Sequence, residues 1–401
     1  MFDVKARAKA MNPRMVEWRR HIHAAPELGL ELPQTEAFVV GELKKMGVEK
    51  IRQGVGGHGV VALIEGAKPG KVLGIRADMD ALNMAEDTGL PFASKNGWMH
   101  ACGHDAHTAM LLGAAAMLME SKNELAGTVK LIFQPSEENG FGGPAMLADG
   151  VLENPKVDAI VGLHTGGLWK GAVAGEIGYR FGPMMASSDF FVVTFTGKGG
   201  HGATPHLTVD PISIACHAYT TLQTIVSRET SPLDSVVVTI ASLHAGTANN
   251  VIPPTCRMEG TLRALTPERR KYIQDRLKQV CEEIAHAMLG SATVEYQYAP
   301  PPVVNDREMT EKLRRAASDL LGADHVHEVE EPTMGAEDMA YFLEKVPGTF
   351  FYHPSFREGG FPHHHPKFDI DESVLWIGAG TFAQFALTWR LEQRYRGLTV
   401  R

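Results

Sequence analysis

Between residues 59 and 164 short apolar runs alternate with one long apolar segment, and this alternation restricts the possible folds more than any other feature. GVVALIEG (59–66) and KVLGIRADMD (71–80) are rich in Val, Leu and Ile and are closed by glycine or acidic residues, as strands are. HTAMLLGAAAMLMESK (107–122) is long and rich in Ala, Leu and Met, which fits a buried helix. TVKLIFQ (128–134) and VDAIVGLH (157–164) again read as buried strands, and residues 14–46 contain helical material. The pattern predicts an α/β fold, a mostly parallel sheet with helices on both faces. In such sheets ligands gather beyond the carboxyl ends of the strands, where Asp78, Asp80, Glu137, Glu138 and His164 all fall.

Near residue 187 the pattern changes. DFFVVTFTG reads as a strand, DPISIACHAYTTLQTIV as a helix, DSVVVTIASLH and CRMEGTLRAL as strands, PERRKYIQDRLKQVCEEIAHAM as a helix and ATVEYQYA as a strand. The order βαββαβ is a ferredoxin-like module complete in itself. Pro300, Pro301 and Pro302 close it, and helical and strand material resumes up to a final helix around 372–395. The expectation is a larger domain in two parts, 1–186 and 300–401, with residues 187–299 inserted between them. A chain of 401 residues is long enough for both domains to bury their own core.

Composition removes several functional classes. Hydrophobic residues at 44% and charged residues at 21% are the balance of a soluble globular protein. The net charge of -8 comes without a basic stripe interleaved with aromatics, so nucleic acid is not an expected partner. The N-terminal stretch carries charges throughout, no apolar run reaches membrane-spanning length, and a cytoplasmic location without membrane partners is expected. Four scattered cysteines are too few for a disulfide framework, and only Cys102 has suggestive neighbours.

Those neighbours lie in MHACGHDAHT (99–108). Cys102 and His104 can aim thiolate and imidazole at one ion, a donor pair that suits Zn(II) and other late divalent metals. The same residues also permit a thiol nucleophile with a histidine base, although no known thiol-hydrolase signature surrounds them. QPSEENGFGG (134–143) places Glu137 and Glu138 side by side after a buried strand, where one carboxylate can bind metal while its neighbour acts as a base. His164 closes another strand, and FPHHHPKFDID (361–371) offers His363, His364 and His365, among which spacing alone does not choose. Cys102, His104, Glu138, His164 and one C-terminal histidine suffice for two metals sharing a bridging ligand, an arrangement that polarises a scissile carbonyl and prepares the attacking water.

RADMDAL, MHACGHDAHTAMLLGAA, FQPSEE, GLH, GKGGHGATPH, GTANNVIP, EGTLRAL and HHHPKFDID, in this order, resemble the aminoacylase and carboxypeptidase clan of two-metal hydrolases. More narrowly they are similar to its amidohydrolase branch, with hippurate hydrolases, N-acyl-amino-acid amidohydrolases and plant auxin-conjugate hydrolases. The match runs from about residue 14 to 390. The resemblance implies Cys102, His104, Glu138, His164 and His364 as metal ligands, the last from aligning Pro366 with the family's L-H-S/N-P element. His363 and His365 stand where the family usually has Leu and Ser or Asn, and Asn83 stands where Pro is usual.

By the same resemblance Glu137 is the general base, Asp80 orients ligands, and His201 stabilises an oxyanion, often in the active site of a dimer partner. Asn250 is similar to residues that hold substrate, and Arg263 is a candidate for a substrate carboxylate. His100, Asp105 and His107 are read as supporting or helix-start residues. The implied cofactors are two divalent ions per subunit (Zn, Mn, Co or Ni), and the implied assembly is a homodimer or homotetramer through the inserted lid and dimerisation domain. The expected reaction is hydrolysis of the amide of N-acyl amino acids to a carboxylic acid and a free amino acid. A dipeptidase or carboxypeptidase activity, a Cys102 thiol hydrolase and a non-catalytic metal-binding module are the alternatives; a metal hydrolase alone loses activity on chelation and recovers it with added metal.

Overall fold

The computed structural model describes residues 2–389 except 168, 170 and 358, with the backbone alone at 298. The chain divides into two compact units: residues up to Gly182 with Asn305–Glu331 and Tyr341 onward, and Pro183–Val304 with Pro332–Ala340.

The first unit is built on an eight-stranded sheet. Its strands are β1 (Lys50–Val55), β2 (Gly59–Glu65), β3 (Lys68–Asp78), β4 (Ala126–Gln134), β5 (Ala159–Thr165), β6 (Ile177–Tyr179), and the later Val326–Glu328 and Gly348–His353. The order is β1-β2-β4-β3-β5, then Gly348–His353, β6 and Val326–Glu328. β3, β4, β5 and Gly348–His353 run parallel, with Asp78 opposite Gln134 and His164 opposite Tyr352. Their carboxyl ends therefore meet along one edge. β5 is buried at every position, which explains its unbroken apolar run: a strand covered on both faces has no solvent side to alternate with.

α1 (Val4–His23), α2 (Pro33–Lys45), α3 (His104–Glu120) and the helix Leu375–Thr388 flank this sheet. α3 is buried from His104 to Leu118, the environment a helix apolar on all sides requires. At Gly113 an added Cβ would come within 2.3 Å of Met15 Sδ and 3.2 Å of Ala379 Cβ, so only glycine lets α1, α3 and the last helix approach this closely. That last helix begins at Leu375 rather than near 372, after a 3₁₀ turn over Glu372–Val374; the end expected near 395 lies outside the described residues. No helix among the described residues is long and apolar enough to cross a membrane.

The second unit carries β7 (Asp189–Thr196), α4 (Pro211–Ser227), β8 (Val236–Ala245), β9 (Thr255–Ala264), α5 (Pro267–Ala287) and β10 (Ser291–Tyr298). The strands form an antiparallel sheet in the order β8-β9-β7-β10. β7 and β9 alternate buried and more exposed positions, the period-2 signature of a sheet packed on one face. Phe191, Val193, Phe195, Met258 and Leu262 meet Ile214, Leu222, Ile273 and Leu277 of the two helices in a separate core. Asp210 and Thr266 cap those helices by accepting from the N–H groups of Ile212 and Arg269. Residues 332–340, which the sequence reading assigns to the larger domain, cluster with this unit. The reason is backbone pairing: Thr333 N–H donates to Met184 C=O (3.0 Å), and Thr333 C=O accepts from Ala186 N–H (3.1 Å).

A buried charge network ties the first unit together. The Arg19 guanidinium is fully buried and reaches Asp105 (2.9 Å), Glu372 (2.9 Å) and Asp369 (3.2 Å), joining α1 to the first turn of α3 and to the segment before the last helix. A buried cation is tolerable only when paired in this way. His23 lies 2.7 Å from Asp105 and 3.2 Å from Glu86. Burial alone would lower its pKa, but hydrogen bonds to Asp105 and Glu86 outweigh it and raise the pKa to about 9. Because this exceeds the unfolded value, the contribution is complete below about pH 6.5 and fades as pH rises through 9, an effect on the order of 3 kcal/mol. We therefore predict that urea midpoints of the protein fall between pH 6.5 and 9.5 and that His23→Gln flattens the fall; equal slopes for the two proteins would contradict this.

Candidate metal centre

At the carboxyl edge of the sheet the chain brings acidic and imidazole groups together in a fixed order. β3 ends at Asp78, whose buried carboxylate receives Arg76 Nη1 at 2.7 Å and His107 Nδ1 at 2.5 Å. Burial opposes its ionisation, but His104, Arg76 and His107 hold its pKa well below the usual carboxylate range. Two residues on, the Asp80 carboxylate accepts the N–H of Glu137 at 2.9 Å and of Glu138 at 3.1 Å. Its backbone carbonyl lies 2.9 Å from His104 Nδ1. Asp80 thus grips the loop after β4 with its side chain and the first residue of α3 with its backbone.

The glutamate loop is tight. Ser136 adopts φ +61°, and Gly142 N–H and Phe141 N–H both donate back to its carbonyl. This turn directs Glu137 and Glu138 toward the same space as His104, whose Nε2 stands 3.9 Å from Glu137 Oε2 and 3.8 Å from Glu138 Oε1.

Hydrogen bonds sort the histidines by role. His104 donates from Nδ1 to Asp80, leaving Nε2 bare; His164 donates from Nδ1 to Thr165 C=O at 2.7 Å, leaving Nε2 3.4 Å from Cys102 Sγ. A ligating imidazole is commonly fixed in this way through its other nitrogen. His107 differs: Nδ1 meets Asp78 and Nε2 accepts Thr165 N–H at 2.8 Å, so neither nitrogen is left for an ion. The three consecutive histidines also diverge. His363 Nε2 donates to Thr165 C=O (2.9 Å), His364 Nε2 lies 3.4 Å from Glu138 Oε2, and His365 accepts Lys367 N–H and stacks on Phe361.

Among the groups of ligand atoms that lie within 4.8 Å of one another are Cys102, His104 and His164; Cys102, Glu138 and His364; and His104, Glu137 and Glu138. Cys102 is common to the first two. His104 Nε2 and Glu138 Oε1 are buried and make no hydrogen bond among the described residues. Such orphaned polar atoms are costly unless something else satisfies them. Burial raises the Cys102 thiol well above its ordinary value, with Glu138 adding to the rise. Burial likewise raises Glu138 to about 7, helped by Asp80 and Asp78 against His104. Sulfur, imidazole and carboxylate donors gathered in one place fit late divalent cations.

The structure therefore brings Cys102, His104, Glu137, Glu138, His164, His364 and Asp80 into one cluster. His201, Asn250 and Arg263 belong to the second unit. There His201 pairs with Val251 across a short ladder and Gly202 N–H donates to Asn250 C=O, so those two stand side by side. Arg263 lies on β9 opposite Val237, and burial lowers its pKa. Sequence reasoning missed the Arg19, His23 and Glu86 network and the dual anchoring of His107. The spacing of His104 and His107, one turn apart on α3, was the available signal for the latter.

The model of Peptidase family M20/M25/M40 matches residues 74–388. The chain is 42% identical over 369 residues to an N-acetyl-L-cysteine deacetylase of Bacillus subtilis, covering 91% of this chain and 85% of that protein. It is 42% identical over 386 residues to the IAA-amino acid hydrolase ILR1-like 4 of Arabidopsis thaliana, covering 94% and 86%. Among solved structures, the Bacillus subtilis YXEP protein, a dinuclear metal binding peptidase from the M20 family, superimposes with a TM-score of 0.82 at 36% identity, covering 94% of this chain and 98% of that one. The chain belongs to peptidase family M20/M25/M40, hydrolases acting on amides or peptides.

Proposed function

We propose that the protein hydrolyses the amide bond of N-acyl amino acids, releasing a carboxylic acid and a free amino acid, with two divalent ions (Zn, Mn, Co or Ni) held by Cys102, His104, Glu138, His164 and His364. The observation that supports this reading is the pairing of Glu137 and Glu138 on the single Asp80 carboxylate, an arrangement that suits one as a ligand and its neighbour as a base. Bound divalent ions supply Lewis acidity and a water that is nucleophilic near neutral pH. Glu137 takes the proton of the attacking water and delivers it to the leaving amine. Asp80 fixes the direction of Glu137 and Glu138 through their amides, and Asp78 and His107 hold the neighbouring strand ends. On the resemblance in sequence, His201 is assigned to the oxyanion, Asn250 and Arg263 to the substrate, and the assembly to a homodimer or homotetramer.

A thiol nucleophile needs a lowered pKa, whereas burial and Glu138 push Cys102 the other way; a bound divalent cation would supply the positive charge that a thiolate needs there. Rates on N-acetyl, benzoyl and indole-acetyl amino acids and on dipeptides, before chelation, after it and after metal return, test the proposal. It expects N-acyl amino acids to be hydrolysed only by the metal-loaded protein; turnover of dipeptides alone would make the enzyme a peptidase.

Glu137→Gln is expected to lower kcat by roughly 10²–10⁴-fold with metal content unchanged. Substantial residual turnover would remove Glu137 as the base. Asp80→Ala leaves two amide N–H groups without their acceptor, at about 1–3 kcal/mol each. Competition with a chromophoric chelator should then report metal affinity weakened by roughly 10–100-fold; parental affinity would mean that Asp80 orients nothing.

A further inference from the structure

One peptide unit organises three imidazoles behind the candidate centre. The carbonyl of Thr165 accepts from His164 Nδ1 (2.7 Å) and His363 Nε2 (2.9 Å), while its N–H donates to His107 Nε2 (2.8 Å). The His363 ring sits edge-on to His164 at 5.2 Å and against Phe368 at 5.0 Å. Gly166, at φ +112°, makes the space: a Cβ there would fall 2.0 Å from His363 Nε2. The next residue, His364, has φ +59°, a left-handed conformation that non-glycine residues adopt only when their surroundings hold them. It is held on both sides, by the His363 hydrogen bond to the end of β5 and by its own N–H donating to Ala101 C=O at 2.9 Å.

We infer that His363 is a positioning residue that couples the two ligand groups, fixing His364 of the Cys102, Glu138 and His364 set relative to His164 of the Cys102, His104 and His164 set. This inference rests on the two-ion reading above. One ring bonded to the carbonyl that also fixes the His164 tautomer transmits the position of β5 to the loop bearing His364. A leucine at this position would fill space but make no such bond.

Calorimetric titration of the metal-free protein with Mn(II) tests this without recourse to activity. The parent should bind two ions in resolvable steps. His363→Leu should leave the tighter step in place and weaken the other by roughly 10–100-fold. His363→Gln, whose amide can donate to the same carbonyl, should recover most of the loss. Gly166→Ala, which drives a methyl group into the ring, should reproduce the leucine phenotype independently. Parental affinities for both steps in His363→Leu, or equal losses in the leucine and glutamine variants, would overturn the coupling. A parent binding fewer than two ions would overturn the two-ion reading itself, and the coupling with it.

Discussion

The Asp80 carboxylate, shared between the amides of Glu137 and Glu138 while its own carbonyl meets His104, is the junction on which the candidate centre depends. It converts three separate pieces of chain, the end of β3, the loop after β4 and the start of α3, into one rigid frame. A carboxylate on two consecutive N–H groups satisfies backbone donors that a tight turn would otherwise leave buried and unpaired. The parallel alignment of β3, β4 and β5 brings these pieces within reach, because parallel strands end on the same edge.

Around that frame the charges are unequally served. Asp78 is fully compensated by Arg76 and His107, and Asp105 by Arg19 and His23. Glu138 and Cys102 are not: burial first, and then neighbouring carboxylates, hold both pKa values above their ordinary range. The protein thus separates carboxylates that act as struts from donors left open, and the open ones, with Nε2 of His104 and Nε2 of His164 beside the Cys102 sulfur, face one another.

The parts legible in the sequence are those in which local pattern and tertiary role coincide. β5 and the last six residues of β3 read as buried strand because neither face meets solvent, and the βαββαβ module reads out because its strands keep a period of two while α4 and α5 keep the helical period. Glu137, Glu138 and His164 were visible as polar residues at strand ends. What escaped was set by contacts remote in sequence. Residues 332–340 join the second unit through Thr333 and Met184, and Arg19 reaches Asp105 and Glu372 from far along the chain. The triple histidine was opaque for a related reason: its members differ only in which distant partner each meets, Thr165, Glu138 or Phe361.

We propose Cys102 as a metal ligand shared by two ions, rather than a nucleophile, because it belongs to two of the ligand groups. Titration of the metal-free protein with Co(II), followed by thiolate-to-metal charge-transfer absorption, tests it most directly. A sulfur shared by both ions predicts absorption that changes through the first and the second equivalent and vanishes in Cys102→Ser. Binding of Co(II) with no charge-transfer band, or a band unaltered in Cys102→Ser, would contradict the account.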